Sequence, residues 1–268
     1  MGQINLAFTS KNIDPKDHIL SVLIEADSFV YGIFDKKHDL ISAGIHTIDR
    51  HSDDLLSAIR KDGQLVTGYH KAIVAYSTLE FVHLNALDFD AGDFSIYFNG
   101  LTNDDEILTD AFTHSEVKVV FPVNRKMRGQ IVGLLSPYAE VHVSTAMQQH
   151  IYPSQAKRNL VLVGADIMHY MSYNGGHLSM YNAYRYRTKE DFLYYLQLAS
   201  DFSGIDREVD VLEVGGWLDM GSDIYKMVSP YYKHIQWVDM ARMGMSTASD
   251  DHLKHHYFAL YANALCVS

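Results

Sequence analysis

The stretch VDVLEVGGWLDMGSDIYKMV, residues 209–228, has the order of a β-strand, a Gly-Gly corner and a helix with a polar start. A glycine pair in that position has two physical uses. It lets backbone come close to a nucleotide, or it only turns a corner that residues with side chains cannot turn. A second group with chemical potential lies near the C-terminus, where His252 and His256 are spaced i,i+4 with His255 beside them. That spacing holds zinc when a third ligand converges. The segment reads His252-Leu253-Lys254-His255-His256 and lacks the central Glu of a zinc-protease helix, so solvated or partly packed histidines and no metal are expected. No Gly-x-Ser-x-Gly elbow is present, which argues against an α/β-hydrolase. The single cysteine, Cys266, excludes internal disulfides and thiolate clusters and is expected to be a buried thiol.

The elements that must position these residues emerge from an internal repeat. LSVLIEADSFVYGIFDKKHDLISAGIHTID, starting at Leu20, aligns without a gap on NLVLVGADIMHYMSYNGGHLSMYNAYRYRT, starting at Asn159. Ala26-Asp27 falls on Ala165-Asp166, Tyr31 on Tyr170, Phe34 on Tyr173 and His38 on His177. Each copy gives an apolar strand ending in Ala-Asp, then two alternating strands around a polar turn, Asp35-Lys36-Lys37 or Asn174-Gly175-Gly176. A helix follows in each. Thr188 caps the second, Phe192, Tyr195, Leu196 and Ala199 form its face, and Gly204 ends it; Asp49 or Ser52 caps the first, with Leu55, Leu56 and Ile59 as its face and Gly63 as its end. Most of Tyr170, Tyr173, Tyr181, Tyr184 and Tyr186 are expected to pack between sheet and helix, with any exposed tyrosine suited to a partner surface.

The second copy continues with strand 209–214, helix 222–231, strand 234–240 and a helix from about 250 to 265. The first continues with strand 71–76, extended stretches 80–84 and 94–98, a helix-prone run 104–112, strand 117–122, helix 124–135 and strand 140–144. Asp104-Asp105-Glu106 reads as the acidic start of a helix capped by Thr102 or Asn103. Alternating strands and helices imply parallel pairing, and the opening hairpins add an antiparallel section. The expected fold is therefore α/β: a mixed sheet flanked by helices, present twice, with an N-terminal lobe at 1–154 carrying inserted strands and a C-terminal lobe at 155–268. The break is expected at Tyr152-Pro153-Ser154-Gln155.

Composition narrows the partners. The 268 residues include 47% hydrophobic residues and five prolines, enough for sizeable cores, and the net charge of −11 disfavours nucleic acid or an anionic membrane as partner. No apolar run is long enough to cross a bilayer, the N-terminus lacks signal-peptide order, and Leu6 breaks a myristoylation start. A cytoplasmic protein is expected.

The duplicated order resembles the actin-like ATPase, or ribonuclease-H-like, fold. AYSTLEFVHLNALDF, FNGLTNDDEILTDAF, VVFPVNRKMRGQIVGLLSPYAEVHVSTA and LSMYNAYRYRTKEDFLYYL resemble an uncharacterised family of Bacteroides-type bacteria with that fold, TKEDFLYYL being the most specific piece. The chain departs from the family at Asn85-Ala86-Leu87, where a proline is expected after the strand.

The resemblance implies where ATPase chemistry would sit. Working members carry Asp-x-Gly-Ser/Thr at both opening turns, with Asp ordering hydrated Mg²⁺ and Gly exposing backbone amides to phosphate. Here the turns read Glu25-Ala26-Asp27-Ser28-Phe29 and Gly164-Ala165-Asp166-Ile167-Met168, so both aspartates are kept while Phe29 and Met168 replace glycine and are expected to shield the amides. The water-positioning acid belongs in Val143-Ser144-Thr145-Ala146-Met147, which has none, and Gly215-Gly216 matches the adenosine loop. The resulting expectation is a degenerate, non-catalytic scaffold or assembly partner with no cofactor. The alternatives are an ATPase or kinase-like enzyme binding ATP and magnesium in the interlobe cleft through Asp27, Ser28, Asp166, Gly215 and Gly216, or a protein binding another small molecule there.

Overall fold

The computed structural model describes residues 8–9, 13–47, 62–65, 68–85, 96–111, 117–151, 156–240 and 251–266. The expected break at 152–155 and the helix expected between Asp49 and Ile59 lie outside them. The chain forms two compact units, Met1–Gln149 with Asn263–Ser268, and His150–Ala262.

The first unit contains β1 (Phe8–Thr9), β2 (Ile19–Ile24), β3 (Ser28–Phe34), β4 (Leu40–Thr47), β5 (Lys71–Tyr76), β6 (Val82–Asn85), β7 (Asp105–Ala111), β8 (Val117–Asn124) and β9 (Ala139–His142). Its helices are α1 (Arg125–Leu135) and α2 (Val143–Ile151). The main sheet runs β1-β4-β3-β2-β5-β9, and a separate three-stranded sheet runs β6-β8-β7. The second unit contains β10 (Arg158–Val163), β11 (Ile167–Asn174), β12 (His177–Arg185), β13 (Val211–Gly216) and β14 (His234–Trp237), in sheet order β12-β11-β10-β13-β14. Its helices are α3 (Lys189–Ser203), α4 (Asp223–Val228) and α5 (Phe258–Leu265), whose residues from Asn263 onward belong to the first unit.

Both main sheets share one scheme. A central strand, β2 or β10, pairs antiparallel with the next strand and parallel with β5 or β13 respectively. The turns after the central strands are closed alike, Glu25 N–H to Ser28 O at 2.9 Å and Gly164 N–H to Ile167 O at 2.8 Å. The parallel strands end alike too, with Ser77 N–H donating to Ile24 O and Trp217 N–H to Val163 O. This is the duplicated mixed-sheet fold that the repeat implies.

The period-2 pattern decides which face each residue buries. In the first unit Leu20, Val22, Ile24, Phe29, Tyr31, Ile33, Val74 and Tyr76 meet Val119, Phe121 and Val123 of β8 and Ile131 and Leu135 of α1. The inserted strands therefore cover one face of the main sheet. In the second unit Val161, Val163, Met168, Tyr170, Leu212 and Val214 pack under Phe192, Leu196 and Ala199 of α3, a helical i, i+4, i+7 stripe. Tyr170, Tyr184 and Tyr186 join this core as expected, with Tyr184 stacked on Tyr195 and Tyr186 edge-on to Phe192, whereas Tyr173 is buried outside it and Tyr181 stacks on His169. The hairpin between β11 and β12 turns on Gly175 and Gly176, both with positive φ, as a two-residue primed turn requires.

Four local expectations are corrected. The run at 104–112 is strand β7, because pairing along β8 outweighs the helix-start signal of its acids; Thr102 and Asp105 instead close a turn before it. Residues 96–98, read as extended, form a turn. Strand β9 ends at His142, and Ser144 lies in α2. The helix expected at 250–265 is a 3₁₀ helix, Asp251–Tyr257, followed by α5.

Helix α3 begins with a reciprocal cap: Asp191 N–H donates to Thr188 Oγ1 at 3.0 Å and Thr188 N–H to the Asp191 carboxylate at 3.1 Å. Removing such a cap costs about 1 kcal/mol. Thr188→Ala is expected to lower the unfolding free energy by that amount, read as a lower denaturant midpoint at unchanged slope, while Thr188→Ser keeps it.

Candidate functional site

In open α/β sheets ligands bind beyond the carboxyl ends of the strands. In the first unit that edge carries the turn Glu25–Ser28; in the second it carries Gly164–Ile167 and the end of β13. Asp166 and the Gly215-Gly216 pair thus share one sheet edge, at the ends of adjacent strands β10 and β13. Asp27 and Ser28 occupy the equivalent corner of the first unit.

The side chains at these corners are already engaged. Ser28 Oγ donates to Glu25 Oε2 at 2.7 Å, and Glu25 is 5% exposed. Asp27 is exposed. The Asp166 carboxylate lies 3.3 Å from Arg185 Nε, while Tyr186 donates its N–H to Asp166 O and its hydroxyl to Gly164 O. Phe29 and Met168 are each 0% exposed and lie within the hydrophobic cores, so the expectation that they shield the turn amides is corrected. Each opens the antiparallel ladder, Phe29 opposite Ile24 and Met168 opposite Val163, and the pleat sends its side chain inward. Glu25 is one residue the sequence reading does not single out; its signal is an acidic group directly after strand Ile19–Ile24.

Gly215 and Gly216 form the last two residues of β13 rather than a loop after it. A Cβ on Gly215 would stand 2.7 Å from Phe258 Cδ1, and one on Gly216 would stand 2.2 Å from Val163 O. Gly216 also has φ +89°. Close packing of the Phe258 ring and of the neighbouring backbone therefore requires both glycines, without appeal to a ligand.

The segment expected to hold a water-positioning acid opens α2 and is buried. His142 Nδ1 and Ser144 Oγ are 2.8 Å apart, His83 Nε2 lies 3.0 Å from the same hydroxyl, and Thr145 Oγ1 donates to Asp110 Oδ1 at 2.9 Å. His142 N–H donates to the other Asp110 oxygen. Burial lifts Asp110 to about 7, against the lowering effect of these two donors, and burial depresses His83 to about 4. Burial, reinforced by Asp110, pushes the Cys266 thiol up to about 12, which makes it unreactive. Asp110 is hidden in the sequence because the acids at 104–106 signal a helix over a run that pairs as strand β7.

The family profile for proteins of unknown function DUF3822 matches residues 9–235. The chain belongs to the DUF3822 family. No curated protein matches it. The DUF3822 chain is similar to a Bacteroides thetaiotaomicron protein described as having an actin-like ATPase fold and unknown function, with TM-score 0.75 and 14% identity over 96% of this chain and 100% of that one. It is also similar to a chain of a PilM–PilN type IV pilus biogenesis complex, with TM-score 0.65 and 10% identity over 93% and 98%. A third likeness is to the ethanolamine utilization protein EutJ from Carboxydothermus hydrogenoformans, with TM-score 0.52 and 11% identity over 92% and 89%. At these identities the likeness establishes the actin-like fold.

Two outcomes follow for the DUF3822 protein. Gly216→Ala, with a strained φ and a blocked Cβ, is expected to lose about 2–4 kcal/mol in denaturant unfolding. Asp110 keeps its proton in the native state up to about pH 7, whereas an unfolded aspartate releases it near pH 4. Between those values the unfolded state binds fewer protons, so this group's contribution to stability falls as pH rises. Asp110→Asn is expected to gain stability relative to the parent chain from pH 5 to pH 7, read from unfolding midpoints.

Proposed function

We propose that this protein is a non-catalytic cytoplasmic scaffold or assembly partner whose actin-like corners have lost nucleotide chemistry. The observation that carries the reading is the Ser28–Glu25 bond. Ser28, the hydroxyl this turn offers, donates to a buried carboxyl group 2.7 Å away and not outward to a phosphate. A phosphate brought to that turn meets an acidic side chain in place of a donor, and phosphate groups are held by donors and positive charge.

Three further features support it. Asp166, the second candidate for ordering Mg²⁺, is paired with Arg185. The helix start at 143–147 offers no acid to orient water, and its Ser144 and Thr145 are committed to His142 and Asp110. The glycine pair is accounted for by Phe258 and Val163. These residues do not fit a magnesium–nucleotide complex.

The likeness to a PilM–PilN chain supports partner recruitment as the kind of role this fold serves, since that protein is part of a pilus biogenesis complex. Tyr194 and Tyr231, 61% and 48% exposed, line an open groove with Leu193, Met227 and Pro230, and exposed tyrosine is enriched at protein interfaces.

The second reading, an ATPase or kinase-like enzyme, draws on the retention of Asp27 and Asp166 at the carboxyl ends of β2 and β10. Calorimetric titration with ATP and Mg²⁺ separates the two. No saturable binding at millimolar ATP is expected. Saturable binding that disappears in Asp27→Ala and Asp166→Ala would overturn the scaffold reading.

A further inference from the structure

The loop after Gly216 and the 3₁₀ helix Asp251–Tyr257 meet within the second unit, and the side chains that meet are metal-binding types. We propose that Asp219, His255 and His256 form a binding site for a divalent transition-metal ion, with zinc the best match. One donor atom from each residue lies within 4.8 Å of those of the other two. Two imidazoles and one carboxylate form a set that zinc accepts, at about 2.0–2.2 Å from each donor. In a tetrahedral arrangement those lengths place donors roughly 3.4 Å apart. Asp219, whose side chain is 58% exposed, has the freedom to make the remaining approach.

The surroundings suit coordination. His255 and His256 are 4% and 8% exposed, so two ligands are held by packing before an ion arrives. His255 Nε2 is 2.8 Å from Leu218 O, to which a neutral ring donates, leaving Nδ1 as a lone-pair donor. A backbone carbonyl on the second nitrogen is the usual support for a metal-binding histidine. His256 Nε2 is 3.0 Å from Asp219 Oδ1, while its buried Nδ1 has no hydrogen-bond partner among the described residues. Among those residues, turning that ring towards an ion breaks the bond to Asp219 alone, the group the ion would join. Trp237 stacks on His255 with centroids 4.2 Å apart and Trp217 lies 5.5 Å from His256, giving the cluster apolar walls. Such walls strengthen the attraction between a cation and a carboxylate.

The residues are not the pair the sequence spacing suggested. The side chain of His252 lies outside the described residues, and consecutive histidines are joined by a residue from a distant loop. Three protein ligands leave a fourth position to water or another small donor. An ion there would fasten the 3₁₀ helix to the loop that leaves the glycine pair, a role independent of whether nucleotide binds.

The test uses the full chain without a histidine tag, stripped with chelator and titrated with zinc against a chromophoric competitor. One zinc per chain is expected, with affinity reduced at least tenfold in Asp219→Ala. That residue is exposed, so the variant's circular dichroism should match the parent's. Cobalt in place of zinc is expected to give visible bands of tetrahedral type in the parent and not in Asp219→Ala. A stripped parent chain that takes up no zinc, or an Asp219→Ala chain that binds it as tightly, overturns the proposal.

Discussion

Strands β2 and β10 are covered on both faces and hydrogen-bonded along both edges, antiparallel on one side and parallel on the other. A strand in that position tolerates a polar side chain only where it is hydrogen-bonded, as Ser21 of β2 is to Asn263 and Asn159 of β10 is to Ser172, and it tolerates no unpaired backbone. Polarity is therefore exported to its carboxyl end, where the chain turns and emerges. Glu25, Asp27 and Ser28 gather at one such end, and Asp166 with its Arg185 partner at the other. The place where polar side chains gather in each unit is set by this burial constraint before any ligand is considered.

The same constraint explains why bulky residues replace glycine at the two corners without distorting the fold. Phe29 and Met168 stand at the first paired position of the following strand, where the pleat directs side chains into the core. The corner's character is decided by what its polar groups bond to. At Ser28 the bond goes inward to a carboxyl group, and at Asp166 an arginine from β12 lies alongside. Both use side chains that could meet a phosphate or a hydrated cation to satisfy the protein itself.

Buried polar groups recur where α2 begins. Asp110, His142, Ser144, Thr145 and His83 form a bonded group between β7, β9, α2 and β6. Such a group is specific because each member must be satisfied, and an apolar neighbour would leave others without bonds. It fixes how the inserted sheet meets the end of β9. The cost appears as the raised Asp110 carboxyl, whose charge the interior disfavours.

Sequence alone determined the duplication, since an ungapped 139-residue offset maps β2 onto β10 and β3 onto β11. It also determined the caps and turns, as with Thr188, Gly204 and Gly175-Gly176, because these signals depend on neighbours a few residues away. Family membership and the actin-like fold were legible through resemblance, in stretches such as TKEDFLYYL. Tertiary structure alone decided that residues 105–111 pair as a strand, since the partner β8 supplies the hydrogen bonds that local acids cannot predict. It decided that Gly215 is needed under Phe258, 43 residues onward, and that Asp219 stands beside His255 and His256. Contacts between residues so far apart in the chain leave no periodic trace, because packing and not local backbone preference brings them together.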